Sequence, residues 1–167
     1  MSILILNEYI KRRHLQMAVH IVEGDLLKAT EDIIGHQVNC QGVMGSGIAK
    51  SLRAAYSNLY PMYKDFCSKH QSPSQLLGKC QIINTGSNEV ANLYGQLNYG
   101  RQKTVYTNYE ALKAALETLR DYAVLNNLSV ALPYNIGCGL ANGDWDAVSS
   151  ILSEVFMEYE VTLYRFK

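Results

Sequence analysis

The sequence predicts an α/β fold built on a mixed sheet with helices on both faces. Three observations predict it. Short apolar runs alternate with segments of helical period along most of the chain. Two of the runs, ending near Asn39 and Pro133, lead into glycine-rich turns that open helices. One pair of runs is joined by the tight turn Thr85-Gly86-Ser87-Asn88, a hairpin signal that makes one strand oppose its neighbour.

Taken in order, residues 19–22 (Val-His-Ile-Val) read as a strand that stops at Glu23-Gly24-Asp25. Residues 26–30 form a short connection or a helical turn, and 33–39 a second strand. A helix is expected over 47–70, with Ile48, Leu52, Ala55 and Tyr56 on one face. It should be interrupted near Pro61, which has no N–H for the preceding turn. Gln71-Ser72-Pro73-Ser74 is a loop, and 79–84 with 89–94 make the hairpin. Residues 108–126 carry Leu112, Ala115, Leu116, Leu119 and Ala123 at helical spacing, with Asn126-Asn127 as the stop. A strand at 129–133, a helix at 144–159 with Val148, Ile151, Leu152, Val155 and Phe156 inward, and a closing strand at 160–166 complete the pattern. Residues 1–16 stand apart from the domain at 17–167. They read either as an added helix or strand, or as sequence ahead of a start at Met17.

At 167 residues the chain has the length of one domain with a substantial core. Its 15 basic and 15 acidic residues balance, which argues against a strong nucleic-acid surface but leaves room for a small anionic ligand held by local donors. Cys40, Cys67, Cys80 and Cys138 lack CxxC spacing, so no metal site or disulfide framework is expected, and reduced thiols fit a cytoplasmic protein. No apolar stretch is long enough to span a bilayer. Lys11-Arg12-Arg13 follows the apolar start instead of preceding it, so a secretory signal is not expected. His14, His20, His36 and His70 are scattered and read as structural or exposed.

The chemistry concentrates at the glycine-rich turns. Asn39-Cys40-Gln41-Gly42-Val43-Met44-Gly45-Ser46-Gly47-Ile48-Ala49 joins a strand to a helix. Its glycines allow close backbone approach, and the helix start offers unpaired N–H groups and a positive dipole end, a site for phosphate. The order Gly42-x-x-Gly45-x-Gly47 is neither a P-loop nor the dinucleotide fingerprint. Ile136-Gly137-Cys138-Gly139-Leu140, followed by Gly143 and Asp144, is a second unit of the same kind. The two loops could flank one diphosphate. Asp144 reads as a helix N-cap, and Cys138 as a small packing residue with no histidine to activate it. Asp25 and Leu26, after the first strand, are either a turn with an N-cap or the place where an acid accepts from an adenine amino group. Gln96 and Tyr99, near the end of the hairpin, could line the same cleft.

These motifs, in this order, resemble a macro domain. The resemblance rests on Gly24-Asp25-Leu26, Val38-Asn39-Cys40-Gln41-Gly42 through Ala49, Ala91-Asn92-Leu93-Tyr94-Gly95-Gln96, Tyr109-Glu110-Ala111-Leu112, and Pro133-x-x-Ile136-Gly137-Cys138-Gly139-Leu140. It covers about residues 19–166 and is nearest to the branch of ADP-ribose 1''-phosphate phosphatases and terminal ADP-ribose protein glycohydrolases. It implies a three-layer α/β/α sandwich with a mixed central sheet and an ADP-ribose cleft; no residue spacing needs a metal, and no cofactor is expected. It implies Asp25 on the adenine, Asn39 near the distal ribose, and Gly45, Ser46, Gly47, Ile48, Ala49 and residues 136–140 around the diphosphate. The glycohydrolase's lysine has no counterpart at residues 92–96, and Ala141 stands where its acid follows the second loop.

Two functional expectations stay open. One is hydrolysis at the distal-ribose end of an ADP-ribose derivative, ADP-ribosylated macromolecules included. Asn39 would then orient the ribose and Asp144 position or deprotonate a water. The other is a module that binds ADP-ribose, or a related nucleotide, without turnover.

Overall fold

The computed structural model describes residues 2–167, and the side chains of these residues apart from 11–17. Lys11, Arg12, Arg13, His14 and Met17 therefore lie outside the described side chains. Six strands form one sheet: β1 (Val19–Glu23), β2 (Ile33–Asn39), β3 (Cys80–Asn84), β4 (Glu89–Gln96), β5 (Val130–Pro133) and β6 (Val161–Arg165). The helices are α1 (Ile3–Ala18), α2 (Gly47–Ala55), α3 (Leu59–Ser68), α4 (Tyr109–Asn126) and α5 (Trp145–Val155), with short 3-10 turns at Leu26–Lys28 and Pro73–Gln75. The lateral strand order is β1-β6-β5-β2-β4-β3. All neighbours are parallel except β3 against β4, the hairpin the turn signal predicts.

Alternation along the strands sorts the core into two layers. Ile33, Leu93, Leu132 and Leu163 face one side, where Leu112, Leu116 and Leu119 of α4 and Val148 and Leu152 of α5 meet them. Ile34, Val38, Val90 and Tyr94 face the other, against Leu52 of α2 and Leu59 and Tyr63 of α3. Each fully buried Leu contributes roughly 2 kcal/mol relative to exposure. The result is a three-layer α/β/α sandwich with a mixed sheet.

Several ends differ from the sequence expectation. The long helix at 47–70 breaks at residues 56–58, not at Pro61. Pro61 sits instead in the first turn of α3, where its missing N–H leaves no intrahelical bond unmade. The last helix stops at Val155, because Phe156 turns into the core and the Tyr159 hydroxyl donates to the Leu128 carbonyl. α4 ends as expected, at Asn127 in the left-handed conformation with φ of 54°. α1 runs without a linker into β1, so the join falls at Ala18–Val19. Among the described residues no helix is long and apolar enough to cross a membrane.

Candidate functional site

Five parallel strands deliver their C-terminal ends to one edge of the sheet. The segments leaving β1, β5, β2 and β4 emerge there in that lateral order. Three of them, the loops after β5, β2 and β4, enclose a cavity of about 520 Å³, the usual size for a small-molecule site.

The loop after β2 is tied by one residue. The Asn39 amide donates to the Val43 carbonyl at 2.7 Å, and its oxygen accepts the Gln41 N–H at 2.9 Å. The Tyr63 hydroxyl, from α3 beneath, lies 3.0 Å from that oxygen and 2.8 Å from the Asn39 carbonyl. Asn39 lines the cavity, with its oxygen and one of its two amide N–H groups engaged by the loop. Gly42 and Gly47 take left-handed φ of 75° and 58°, which turns the chain into α2. The Ser46 side chain does not cap that helix, so the first-turn N–H groups beside Gly47, Ile48 and Ala49 open on the cavity.

The loop after β5 is tied by its own backbone. Cys138 N–H donates to the Asn135 carbonyl, Asn142 N–H to Gly139, and Gly143 N–H to Gly137. Asn135, Gly137 and Asn142 are all left-handed. The chain turns back on itself here, so α5 starts to one side. Asp144 caps it, accepting the Asp146 N–H at 3.2 Å. Asp144 is exposed and does not line the cavity. Its carboxylate and burial together push the Cys138 thiol up to about 11, burial being the larger cause. Cys138 packs against the core as a small apolar group.

Gln37, two residues before Asn39 on the same strand face, joins these parts. Its amide donates to Gln96 Oε1 at 2.9 Å and to Thr107 Oγ1 at 3.0 Å. The Thr107 hydroxyl in turn donates to the Gly137 carbonyl at 2.6 Å. Gly95 and Gly137 make room for the Gln37 carboxamide; a Cβ at Gly95 would overlap it.

The loop after β4, residues 97–106, bridges the other two. Gln41 donates to the Leu97 carbonyl at 3.0 Å, and Gln96 to Asn98 at 2.8 Å. From the far side, Asn142 donates to the carbonyls of Gln102 and Thr104, both at 2.8 Å. Tyr99, Gly100 and Arg101 of this loop line the cavity.

The cavity wall thus includes Asn39, Gly45, Ser46, Gly47, Ile48, Ala49, Gln96, Ile136, Gly137, Gly139 and Leu140 from the sequence expectation. Asp25, Leu26, Gln41, Cys138 and Asp144 lie outside it. The Asp25 carboxylate caps the turn at Leu26–Lys28, accepting the Leu27 N–H at 2.9 Å, and Leu26 is buried in the core. Gln37, Arg101 and Asn135 were missed. The same-face spacing of Gln37 and Asn39 was the available signal for the first. Among the described residues no group of three or more His, Cys, Asp or Glu side chains could hold a metal ion.

Below the loop after β2 lies a buried polar chain. His36 is fully buried, with Nε2 2.6 Å from Asn92 Oδ1, and Asn92 donates to Gln81. Burial holds the imidazole neutral, lowering its pKa to about 4 against the opposing effect of Asn92.

Comparison with known proteins fits this geometry. Residues 36–152 match the macro domain family. A Saccharomyces cerevisiae ADP-ribose 1''-phosphate phosphatase is 30% identical over 172 residues, covering 86% of this chain and 96% of its own. A Mycobacterium tuberculosis DNA ADP-ribosyl glycohydrolase is 28% identical over 140 residues, 81% of this chain, which spans only 38% of that relative's length. The solved macrodomain of Mycobacterium tuberculosis DarG superposes with a TM-score of 0.74 at 25% identity, covering 87% of this chain and 96% of that one. On the family match and the shared fold, this chain belongs to the macro domain family.

Proposed function

We propose that the cavity holds an ADP-ribose derivative and that the protein hydrolyses it at the distal-ribose end. One observation carries the reading: an uncapped helix N-terminus opens on a cavity of nucleotide size. The diphosphate lies against the N–H groups of residues 45–49, with residues 136–140 facing it across the cleft. The adenine extends toward Asp25, on the β1 side, and the distal ribose toward Asn39, Gln41 and Gln96. Relatives named for phosphatase and glycohydrolase action on ADP-ribose derivatives support both binding and hydrolysis.

The cavity wall constrains the chemistry. Asn39 ties the loop with its oxygen and one amide N–H, which leaves its second amide N–H to donate to the ribose. Among the described residues no carboxylate lines the wall. Asp144 lies outside the wall and would serve as base only by turning from the α5 N-terminus into the cleft, and the α2 N–H groups stabilise charge that develops on the ligand. That carboxylate-free wall also favours a second reading, a binding module without turnover. The unpaired cysteines fit a reducing compartment, so we place the protein in the cytoplasm, acting on free or macromolecule-linked ADP-ribose. Residues 1–16 are an addition to the domain on this reading.

A phosphorus NMR time course with ADP-ribose 1''-phosphate tests it. Growth of an inorganic phosphate signal, lost in Asp144→Ala, assigns phosphatase chemistry and its base. Growth that persists in the variant keeps the chemistry and removes Asp144 from it. Shifted diphosphate signals without new phosphate leave the binding module or a different leaving group, separated by repeating the assay with an ADP-ribosylated peptide.

A further inference from the structure

The loop after β4 carries Arg101, the one charged side chain in the cavity wall among the described residues. No hydrogen bond or carboxylate partner engages its guanidinium among the described residues. The loop around it is held from both sides, by Gln41 of one glycine loop and Asn142 of the other. The Tyr106 hydroxyl packs under Gly100, next to Arg101. An exposed arginine on a loop held this firmly is positioned toward the cavity without an internal charge to satisfy.

Its lateral place says which part of a ligand it meets. The segments along the sheet edge run from the one after β1, which carries Asp25, through those after β5 and β2, to the one after β4. The segment bearing Arg101 leaves β4 beside Gln96 and Gln41, where the reading above puts the distal ribose, and crosses to Asn142 of the loop after β5, so it covers that part of the cleft and stays apart from Asp25, which follows β1 beyond β6. A guanidinium there gains little from a neutral sugar hydroxyl but takes a phosphate monoester through paired charge-assisted bonds.

We propose that Arg101 is a specificity residue that selects ligands bearing a phosphate on the distal ribose over ligands ending in a free hydroxyl. The inference rests on the ADP-ribose reading of the cavity given above. It assigns to the α2 N-terminus the diphosphate, common to both ligands, and to Arg101 the terminal group, which differs between them.

The test is calorimetric binding of ADP-ribose and of its 1''-phosphonate, a dianionic analogue that cannot be hydrolysed, to wild type, Arg101→Gln and Arg101→Lys. Wild type is expected to bind the phosphonate about tenfold more tightly, the scale of one or two charged hydrogen bonds. Arg101→Gln should abolish that preference while moving the ADP-ribose Kd by less than about twofold, and Arg101→Lys should keep part of it. A preference that survives in Arg101→Gln overturns the proposal. So does an equal loss for both ligands, which would put the guanidinium on the diphosphate. Wild-type binding of both ligands with equal affinity sinks this inference alone. Binding of neither sinks the ADP-ribose reading and this inference with it.

Discussion

The two glycine-rich loops look alike in sequence and are built in opposite ways. The loop after β2 is held by a side chain, Asn39, and by tyrosines from the helix below, and it opens into a helix whose first turn is uncapped. The loop after β5 is held by its own turns and opens into a helix already capped by Asp144, with Asp146 in its first turn. A helix start that carries its own carboxylates repels a phosphate, whereas a bare one attracts it. On the proposed reading one loop receives the anion, and the other is a wall that closes the cleft opposite it.

The largest expected effect separates what lies beneath them. His36 sits under the first loop with its pKa lowered to about 4 by burial, from the ordinary 6.5. Between those values the unfolded chain binds the proton that the folded one refuses. Stability is therefore full above pH 6.5 and falls as pH drops toward 4, by up to about 3 kcal/mol. Urea unfolding across that range measures the slope, and His36→Gln should flatten it. An unchanged slope would place its source elsewhere.

Gly47→Val attacks the receptor loop itself. A β-branched residue at φ of 58° is strained, and its Cβ stands at the mouth of the bare helix end. The Kd for ADP-ribose should rise about 100-fold, near 2.7 kcal/mol, while the thermal midpoint falls by only a few degrees. Gly143→Ala attacks the wall. Its Cβ would meet the Gly137 carbonyl at 2.5 Å, and backbone has little room to yield. Stability should fall by about 2 kcal/mol, read by urea unfolding, with affinity following only as the loop loosens. If Gly47→Val mainly unfolds the protein and Gly143→Ala mainly weakens binding, the division of roles between the loops is reversed.

The smallest effect is at Asp144. Replacing the cap by alanine should cost about 1 kcal/mol in stability and leave the ADP-ribose Kd within about twofold. A gain in affinity greater than that would mean that the α5 terminus, once stripped of its own anion, competes for the ligand.

Much of the scaffold was legible because local rules and the tertiary fold agree. Leu112, Leu116 and Leu119 share one helical face, Asn108 caps α4 and Asn127 stops it, and Asp144 caps α5. The positions of both glycine loops followed from the same logic. The break at residues 56–58 did not, since Pro61 is tolerated once the helix restarts just before it. Nor did the tie from Gln37 to Gln96 and Thr107, which spans 59 and 70 residues of sequence and exists only because β2 and β4 are neighbours in register. The local bonds of Asn39 and Asp144 are of another kind. The cap at Asp144 was expected from its place before α5, whereas the bonds from Asn39 to Val43 and Gln41 depend on how the glycine loop folds back on it.

The anchoring of residues 97–106 has a consequence for how such a site can change over time. Gln41, Gln96 and Asn142 grip that segment through main-chain oxygens, those of Leu97, Asn98, Gln102 and Thr104. Main-chain oxygens are indifferent to which residue bears them. Substitutions at Tyr99, Arg101 or Lys103 can therefore accumulate without unfastening the segment, while a deletion that shifts the carbonyls would loosen both neighbouring loops at once. Mutational drift at positions 99, 101 and 103 is free in letters while the segment stays constrained in length, so on the proposed reading preference for the ligand's outer end can be retuned on an unaltered frame.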